Sequence, residues 1–240
     1  MNHLETHKLG LSRNGNWLFR NLDLKIPSGS LVAILGPSGV GKSSLLSCLS
    51  GSEIQTEGKI EFHFKNGKVR TTENINPELG IIFQSLRLTE HVTVLENVRV
   101  GLMPDSIWKM ITESPNVDRE IELALSVGFS ESDLRRTPDE LSMGDLRKLE
   151  MARTMATNPR IMLLDEVFAG LTVGEIDQIA KLIQKMRSEN MTFLIVSHDL
   201  KALEPLVDDA IAINYGKVIA QGSFASVISD KAVRTSYLGT

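Results

Sequence analysis

Apolar and polar positions change their spacing several times along the chain, and each change predicts a different element. From Leu4 to Ile26 they alternate in short stretches, as in Leu22-Asp-Leu-Lys-Ile26, which predicts antiparallel strands. Leu31–Leu35 is apolar throughout and predicts a buried strand. Ser43–Leu49 is apolar at helical spacing and stops at Ser50-Gly51. Lys59–Val69, with Asn66-Gly67 inside it, predicts a hairpin, and Ile81-Ile-Phe83 a short strand ending at Gln84. Strand signals vanish between Leu86 and Leu149, where Asp118–Val127 has helical spacing at Ile121, Leu123, Leu125 and Val127. A further helix is expected over Leu146–Thr157. Parallel-strand candidates resume at Ile161–Leu164, Thr192–Val196 and Ala210–Asn214, with helices predicted at Val173–Asn190 and Leu200–Leu206 between them. The plan is α/β: a mostly parallel sheet, an N-terminal antiparallel β subdomain and an inserted α-helical subdomain. One domain is expected over residues 4–240, with its core at about 4–85 and 158–240 and the helical insertion at about 86–157.

Bulk properties narrow the setting. A length of 240 residues suits one large domain or a domain with a subdomain. A net charge of −4 argues against a nucleic-acid partner held through phosphates. The single cysteine, Cys48, excludes an internal disulfide and reads as a small core residue. No apolar run approaches the roughly 18 residues of a membrane span, and Met1–Lys8 lacks the apolar core of a signal peptide. A cytoplasmic chain that binds a membrane protein is expected.

Residues 36–44 read Gly36, Pro37, Ser38, Gly39, Val40, Gly41, Lys42, Ser43, Ser44 and fit the phosphate-loop pattern G-x-x-x-x-G-K-[ST] without a gap. Gly36, Gly39 and Gly41 allow backbone angles that side chains forbid, so successive N–H groups can converge on one anion. Strand, glycine loop and helix follow in order, which puts the phosphates at a helix N-terminus. The ligand implied is a nucleoside triphosphate with Mg²⁺: Lys42 would reach the β- and γ-phosphates, and the Ser43 hydroxyl would ligate the metal. The chain is thus expected to be a P-loop NTPase. A second signal is Ile161-Met-Leu-Leu-Asp165-Glu166, a buried strand that ends in two carboxylates. Asp165 suits the Mg²⁺ shell, and Glu166 suits a general base that polarises water.

A third signal, Leu141-Ser-Met-Gly-Asp145, precedes a helix some 20 residues ahead of the acidic strand. With it the chain resembles the nucleotide-binding subunits of ABC transporters, whose signature is L-S-G-G-Q. The likeness runs from Leu4 to about Gly239. It implies an ATPase in which Gln84 and His198 (after Phe193-Leu-Ile-Val-Ser197) join Glu166 as catalytic residues, with Gln84 also beside the metal and His198 contacting the γ-phosphate. It further implies a head-to-tail pair of such subunits, expected to be a homodimer. Each ATP is then sandwiched between one glycine loop and the partner's Ser142, Gly144 and Asp145. Transmembrane permease subunits complete the assembly and hold the chain on the inner face of the membrane.

Several residues depart from the family pattern. Met143 and Asp145 replace a glycine and a glutamine, and Arg147 or Lys148 is expected to neutralise Asp145. Thr172 stands where the family has aspartate, and Val167 where it has proline. Adenine is expected on Arg13 or on Trp17. Ser85–Asn97, with Leu86, Leu88, Val92, Val94 and Leu95, is expected to receive a helix of the membrane subunit, and Trp108 to add to that surface. The chain looks like importer ATPases of the phosphonate and branched-chain amino-acid groups. An ATP-binding regulatory subunit with little hydrolysis, or a soluble ABC ATPase outside transport, is the alternative. A GTPase is disfavoured, since no N-K-x-D motif occurs.

Overall fold

The computed structural model describes residues 3–64, 67–71, 78–103 and 116–238. Asn66, Trp108 and Gly239 lie outside the described residues. The N-terminal alternation folds as expected: β1 (His3–Arg13) and β2 (Asn16–Pro27) pair antiparallel around Asn14 and Gly15. Both loop residues have positive φ, 51° and 77°, the turn whose twist matches that of the flanking strands. β3 (Leu31–Leu35) leads through the glycine loop into α1 (Lys42–Ser50). β4 (Glu57–His63) then pairs with the free edge of β1, and β5 (Val69–Thr71) with β4, as the hairpin pattern predicted. The first sheet therefore has the order β2-β1-β4-β5.

The second sheet is built from β3, β6 (Leu79–Ile82), β7 (Ile161–Asp165), β8 (Thr192–Val196), β9 (Asp209–Asn214) and β10 (Lys217–Ser223), in the order β10-β9-β3-β8-β7-β6. Every neighbouring pair is parallel except β9 with β10. Sequence patterning did not anticipate β10, because this edge strand leaves its side chains half-buried or exposed. The central strands are buried on both faces, which is why they read as unbroken apolar runs. Successive residues feed two cores by simple alternation. Leu31, Ala33 and Leu35 of β3 join the core on the helical side, and Val32 and Ile34 join the core shared with the N-terminal sheet and α1. Cys48 of α1 is buried in that second core, which pushes its thiol up to about 12.

The helices are α2 (Val94–Leu102), α3 (Val117–Ser126), α4 (Met143–Met155), α5 (Val173–Ser188), α6 (Leu200–Leu203), α7 (Phe224–Ser229) and α8 (Lys231–Val233). Residues of α2, α3 and α4 share a core with the face of the parallel sheet. A two-pronged contact from Arg99 to the fully buried Glu120, at 2.7 and 2.9 Å, ties α2 to α3. Two helix boundaries differ from expectation by three residues. α4 begins at Met143, three residues before Leu146, because the Ser142 hydroxyl caps it by accepting the Asp145 N–H at 3.2 Å. α6 ends at Leu203 because Pro205 cannot donate to a continuing helix.

The parallel arrangement puts the carboxyl ends of β3, β6, β7 and β8 along one edge. The glycine loop, Gln84, Asp165-Glu166 and His198 all emerge there. In open α/β sheets that edge is where ligands bind.

Candidate active site

A cleft of about 500 Å³ opens at this edge and is lined by Ser38, Gly39, Gly41, Lys42, Ser43, Ser44, Gln84, Glu166 and His198, with Arg13 and Leu18 from the N-terminal sheet. The loop's geometry depends on its glycines at two positions in particular. At Gly36 (φ 153°) a Cβ would lie 2.2 Å from the Ile213 carbonyl oxygen, so the loop packs directly on the backbone of β9. At Gly41 (φ 97°) the chain turns into α1 with no side chain capping the helix. The positive end of α1 is thus left without a side-chain acceptor in the cleft.

Lys42 is half-buried at the base of the cleft. Its Nζ donates to the carbonyls of Gly36 and Pro37 at 2.7 and 2.8 Å. Burial lowers its pKa, and the nearby Glu166 and Asp165 act against that shift. Asp165, at the end of β7, is 5% exposed. Burial raises its pKa, the Ser43 hydroxyl hydrogen-bonded to it lowers it, Glu166 raises it and Lys42 lowers it. Its Oδ1 is shielded from solvent and has no hydrogen-bond partner. An unpaired buried carboxylate oxygen beside a hydroxyl is a donor set suited to a hard divalent cation.

Glu166 follows at φ 51°, a left-handed conformation that costs a non-glycine residue about 1–3 kcal/mol. That turn is anchored by its N–H on the Val196 carbonyl at 2.8 Å. Its carboxylate, largely buried, meets the His198 Nδ1 at 2.8 Å. Gln84 is positioned through its main chain. The buried Arg147 of α4 donates to the carbonyls of Phe83 and Gln84 at 2.9 and 2.5 Å and to Glu150 Oε2 at 2.8 Å. Arg147 is therefore unavailable to Asp145, and it is Lys148 that pairs with Asp145, at 3.0 Å. Of the two residues expected at the adenine, Arg13 lines the cleft, where Glu53 holds its guanidinium at 2.6 and 2.9 Å. Trp17 is not in that lining; it is 42% exposed, with the Arg20 guanidinium over its ring. Leu18, its neighbour, lines the cleft instead, and was not anticipated from the sequence.

The signature residues lie apart from the glycine loop, at the start of α4. Their donors are already engaged. The Gly144 N–H bonds to Glu175 Oε1 at 2.9 Å, and the Glu175 Oε2 accepts from the N–H and hydroxyl of Thr172, at 2.9 and 2.8 Å. Thr172 caps α5 through a reciprocal Thr172–Glu175 box. The N–H groups of Thr172 and Gly144 and the hydroxyls of Thr172 and Ser142 hold the Glu175 carboxyl down at about 2. Sequence reasoning missed Glu175, although the Thr-x-x-Glu spacing of a capping box was there to be read.

Comparison with known proteins agrees with this fold. The ABC transporter family profile matches residues 19–169. The chain is 31% identical to the L-cystine import ATP-binding protein TcyC of Bacillus subtilis, over 92% of this chain and 90% of that one. It is 30% identical to the high-affinity branched-chain amino acid transport ATP-binding protein BraF of Pseudomonas aeruginosa, over 98% and 97% of the two chains. Against the sulfate/thiosulfate import ATP-binding protein CysA of Synechococcus elongatus it is 33% identical over 89% of its own length but spans only 60% of that relative. Among solved structures, the ADP conformation of MJ1267, an ATP-binding cassette of an ABC transporter, superposes with a TM-score of 0.85 at 25% identity over the full length of both chains. No helix among the described residues is long and apolar enough to cross a membrane. The chain therefore belongs to the ABC transporter family, as an ATP-binding, ATP-hydrolysing subunit of the kind that drives transport.

Proposed function

We propose that two copies of this chain close head to tail around two ATP molecules and that hydrolysis resets an import permease in the membrane. The convergence of Lys42, Ser43, Asp165, Glu166, Gln84 and His198 at one sheet edge carries this reading. The glycine-loop N–H groups and the start of α1 bind and orient the triphosphate. Lys42 exchanges its two carbonyl partners for phosphate oxygens. Ser43 and Asp165, with Gln84 beside them, would hold Mg²⁺, since the orphaned Asp165 oxygen and the Ser43 hydroxyl fit a hard cation. When bound, that ion neutralises charge on the phosphate oxygens. Glu166 accepts a proton from the attacking water, and His198 fixes the carboxylate from one side. Arg13, and Leu18 beside it, form the wall against which the base rests. From the partner copy, Ser142, Gly144 and the start of α4 supply donors to the γ-phosphate, with Asp145 turned toward Lys148. The unit so built has its nucleotide core at about 4–85 and 158–240 and a helical subdomain between.

Membrane coupling is assigned to the segment after Gln84. Leu86, Leu88, Glu90 and His91 line a groove of about 280 Å³ together with Pro138, Asp139 and Leu146. Val94 is fully buried, so it is not offered to a partner helix, and Leu95 is not among the groove's lining residues. The import direction rests on relatives named for cystine import and sulfate/thiosulfate import, and a third relative is named for branched-chain amino acid transport. Cargo so varied says that the permease, not this subunit, selects the solute.

The test is ATP hydrolysis by the purified chain and its Glu166→Gln variant. Loss of a general base lowers the rate by about 100-fold or more, and the variant accumulates as an ATP-dependent dimer in size-exclusion chromatography. An unchanged rate in Glu166→Gln rejects the assigned base.

A further inference from the structure

Three of the chain's five histidines meet on the outer face of the N-terminal sheet, away from the nucleotide cleft. β1 and β4 pair so that His3 lies opposite His63 and Glu5 opposite Glu61. Side chains alternate along a strand, so His3, Glu5, His7, Glu61 and His63 share the outer face, while Leu4, Thr6, Ile60 and Phe62 turn inward and are buried. The rings of His3 and His63 stack with centroids 4.3 Å apart.

The spacing of the donor atoms is informative. His3 Nε2 is 3.2 Å from Glu5 Oε1, His63 Nε2 is 3.6 Å from Glu5 Oε2, and His63 Nε2 is 3.4 Å from Glu61 Oε2. The last two are longer than an ordinary N–H···O hydrogen bond, and His63 Nε2 is solvent-shielded with no hydrogen-bond partner. Around an ion with metal–ligand bonds of about 2.0–2.1 Å, the edges of a tetrahedron measure roughly 3.3–3.4 Å. One ligand atom from each of His3, Glu5 and His63 falls within 4.8 Å of the others.

We propose that His3, Glu5 and His63 bind a transition-metal ion of the zinc class, with Glu61 the nearest further oxygen. Imidazole ligands suit zinc, nickel or copper and do not suit magnesium or calcium. The site therefore takes a different cation from the all-oxygen set of Ser43 and Asp165. The Lys25 ammonium is 2.6 Å from Glu5 Oε1 and already sits as a cation on that carboxylate. Lys25 is 62% exposed and swings into solvent when a metal enters. The bound ion would staple β1 to β4 across 60 positions of sequence, the separation of His3 and His63.

The experiment uses the untagged full chain, stripped with a chelator and titrated with zinc chloride by calorimetry, and separately with Co²⁺ under visible absorbance. One Zn²⁺ per chain, a tetrahedral Co²⁺ band and a rise in Tm with zinc but not with millimolar magnesium are expected. His3→Gln and His63→Gln, at half-buried strand positions on the sheet's outer face that keep their backbone pairing, should each weaken zinc binding tenfold or more, and Asp165→Asn should leave it intact. Absence of zinc binding overturns the proposal. So does binding that survives both histidine substitutions, and so does binding lost in Asp165→Asn alone.

Discussion

The Glu175 carboxylate accepts the main-chain N–H of Gly144 at 2.9 Å, so an acid on α5 closes the N-terminus of α4 within one chain. Only glycine permits the approach, because a Cβ at position 144 would lie 2.7 Å from Glu175 Cγ. The end of α4 that the proposed mechanism offers to a partner's γ-phosphate is thus filled by an internal anion, which must leave before the phosphate arrives. Glu175→Gln keeps an acceptor oxygen and the α5 cap but removes the charge. In a Glu166→Gln background it should let the ATP-bound dimer form at several-fold lower ATP concentration, read by size-exclusion chromatography. An identical ATP dependence would mean that Glu175 and the phosphate do not compete.

The same carboxyl gives a pH dependence of known sign. Its folded value of about 2 lies below the ordinary 4.5. A depressed acid contributes stability that is complete above its unfolded pKa and is lost as the pH falls through the folded one. The Tm difference between wild type and Glu175→Gln should therefore be constant above pH of about 4.5 and shrink steadily toward pH 2. A difference that persists unchanged at the acid end would assign the contact no electrostatic role.

The glycine loop, the acidic strand end and the central strands were legible because each is a local signal: unbroken apolar runs such as Ile161–Leu164, and a glycine spacing that only a tight turn uses. Edges and long-range contacts were harder. β10 has only a three-residue apolar run, Val218-Ile-Ala220, none of it fully buried, and the start of α4 was hidden because Met143–Asp145 read as loop until the Ser142 cap was visible. Asp145 was expected to find Arg147 or Lys148, and the choice turned on burial: Arg147 points into the interior toward Phe83, Gln84 and Glu150, while Lys148 stays at the surface. No spacing rule reports that Glu175 meets Gly144, because 31 residues separate them and the β7–α5 connection brings them together.

Two glycines of the loop should respond differently to the same substitution. Gly36→Ala puts a Cβ 2.2 Å from a backbone oxygen that cannot rotate away, at φ 153°. Loss of about 1–3 kcal/mol of stability and at least a tenfold weaker ATP affinity are expected, since the loop must lift from β9. Gly39→Ala meets open space and bears only its positive φ of 79°, which costs about 1 kcal/mol. Urea unfolding of both variants separates the cases, and equal losses of stability would show that packing against Ile213 is unimportant.

Arg147 links the helical region to the cleft, and its removal should be felt in both. The side chains of Arg147 and Glu150 are 3% and 4% exposed, and the Glu150 Oε1 also accepts the Arg87 N–H at 2.7 Å. Arg147→Met strands the Glu150 charge in the interior and frees the carbonyls of Phe83 and Gln84. Breaking a buried pair from one side costs about 3–5 kcal/mol, whereas replacing both partners with apolar residues costs much less. The double variant Arg147→Met/Glu150→Met should therefore regain much of the stability lost in Arg147→Met, as read from urea midpoints. Hydrolysis should stay low in both, because neither holds the main chain of Gln84 in place. Recovery of full ATPase activity in the double variant would show that Gln84 keeps its position without Arg147.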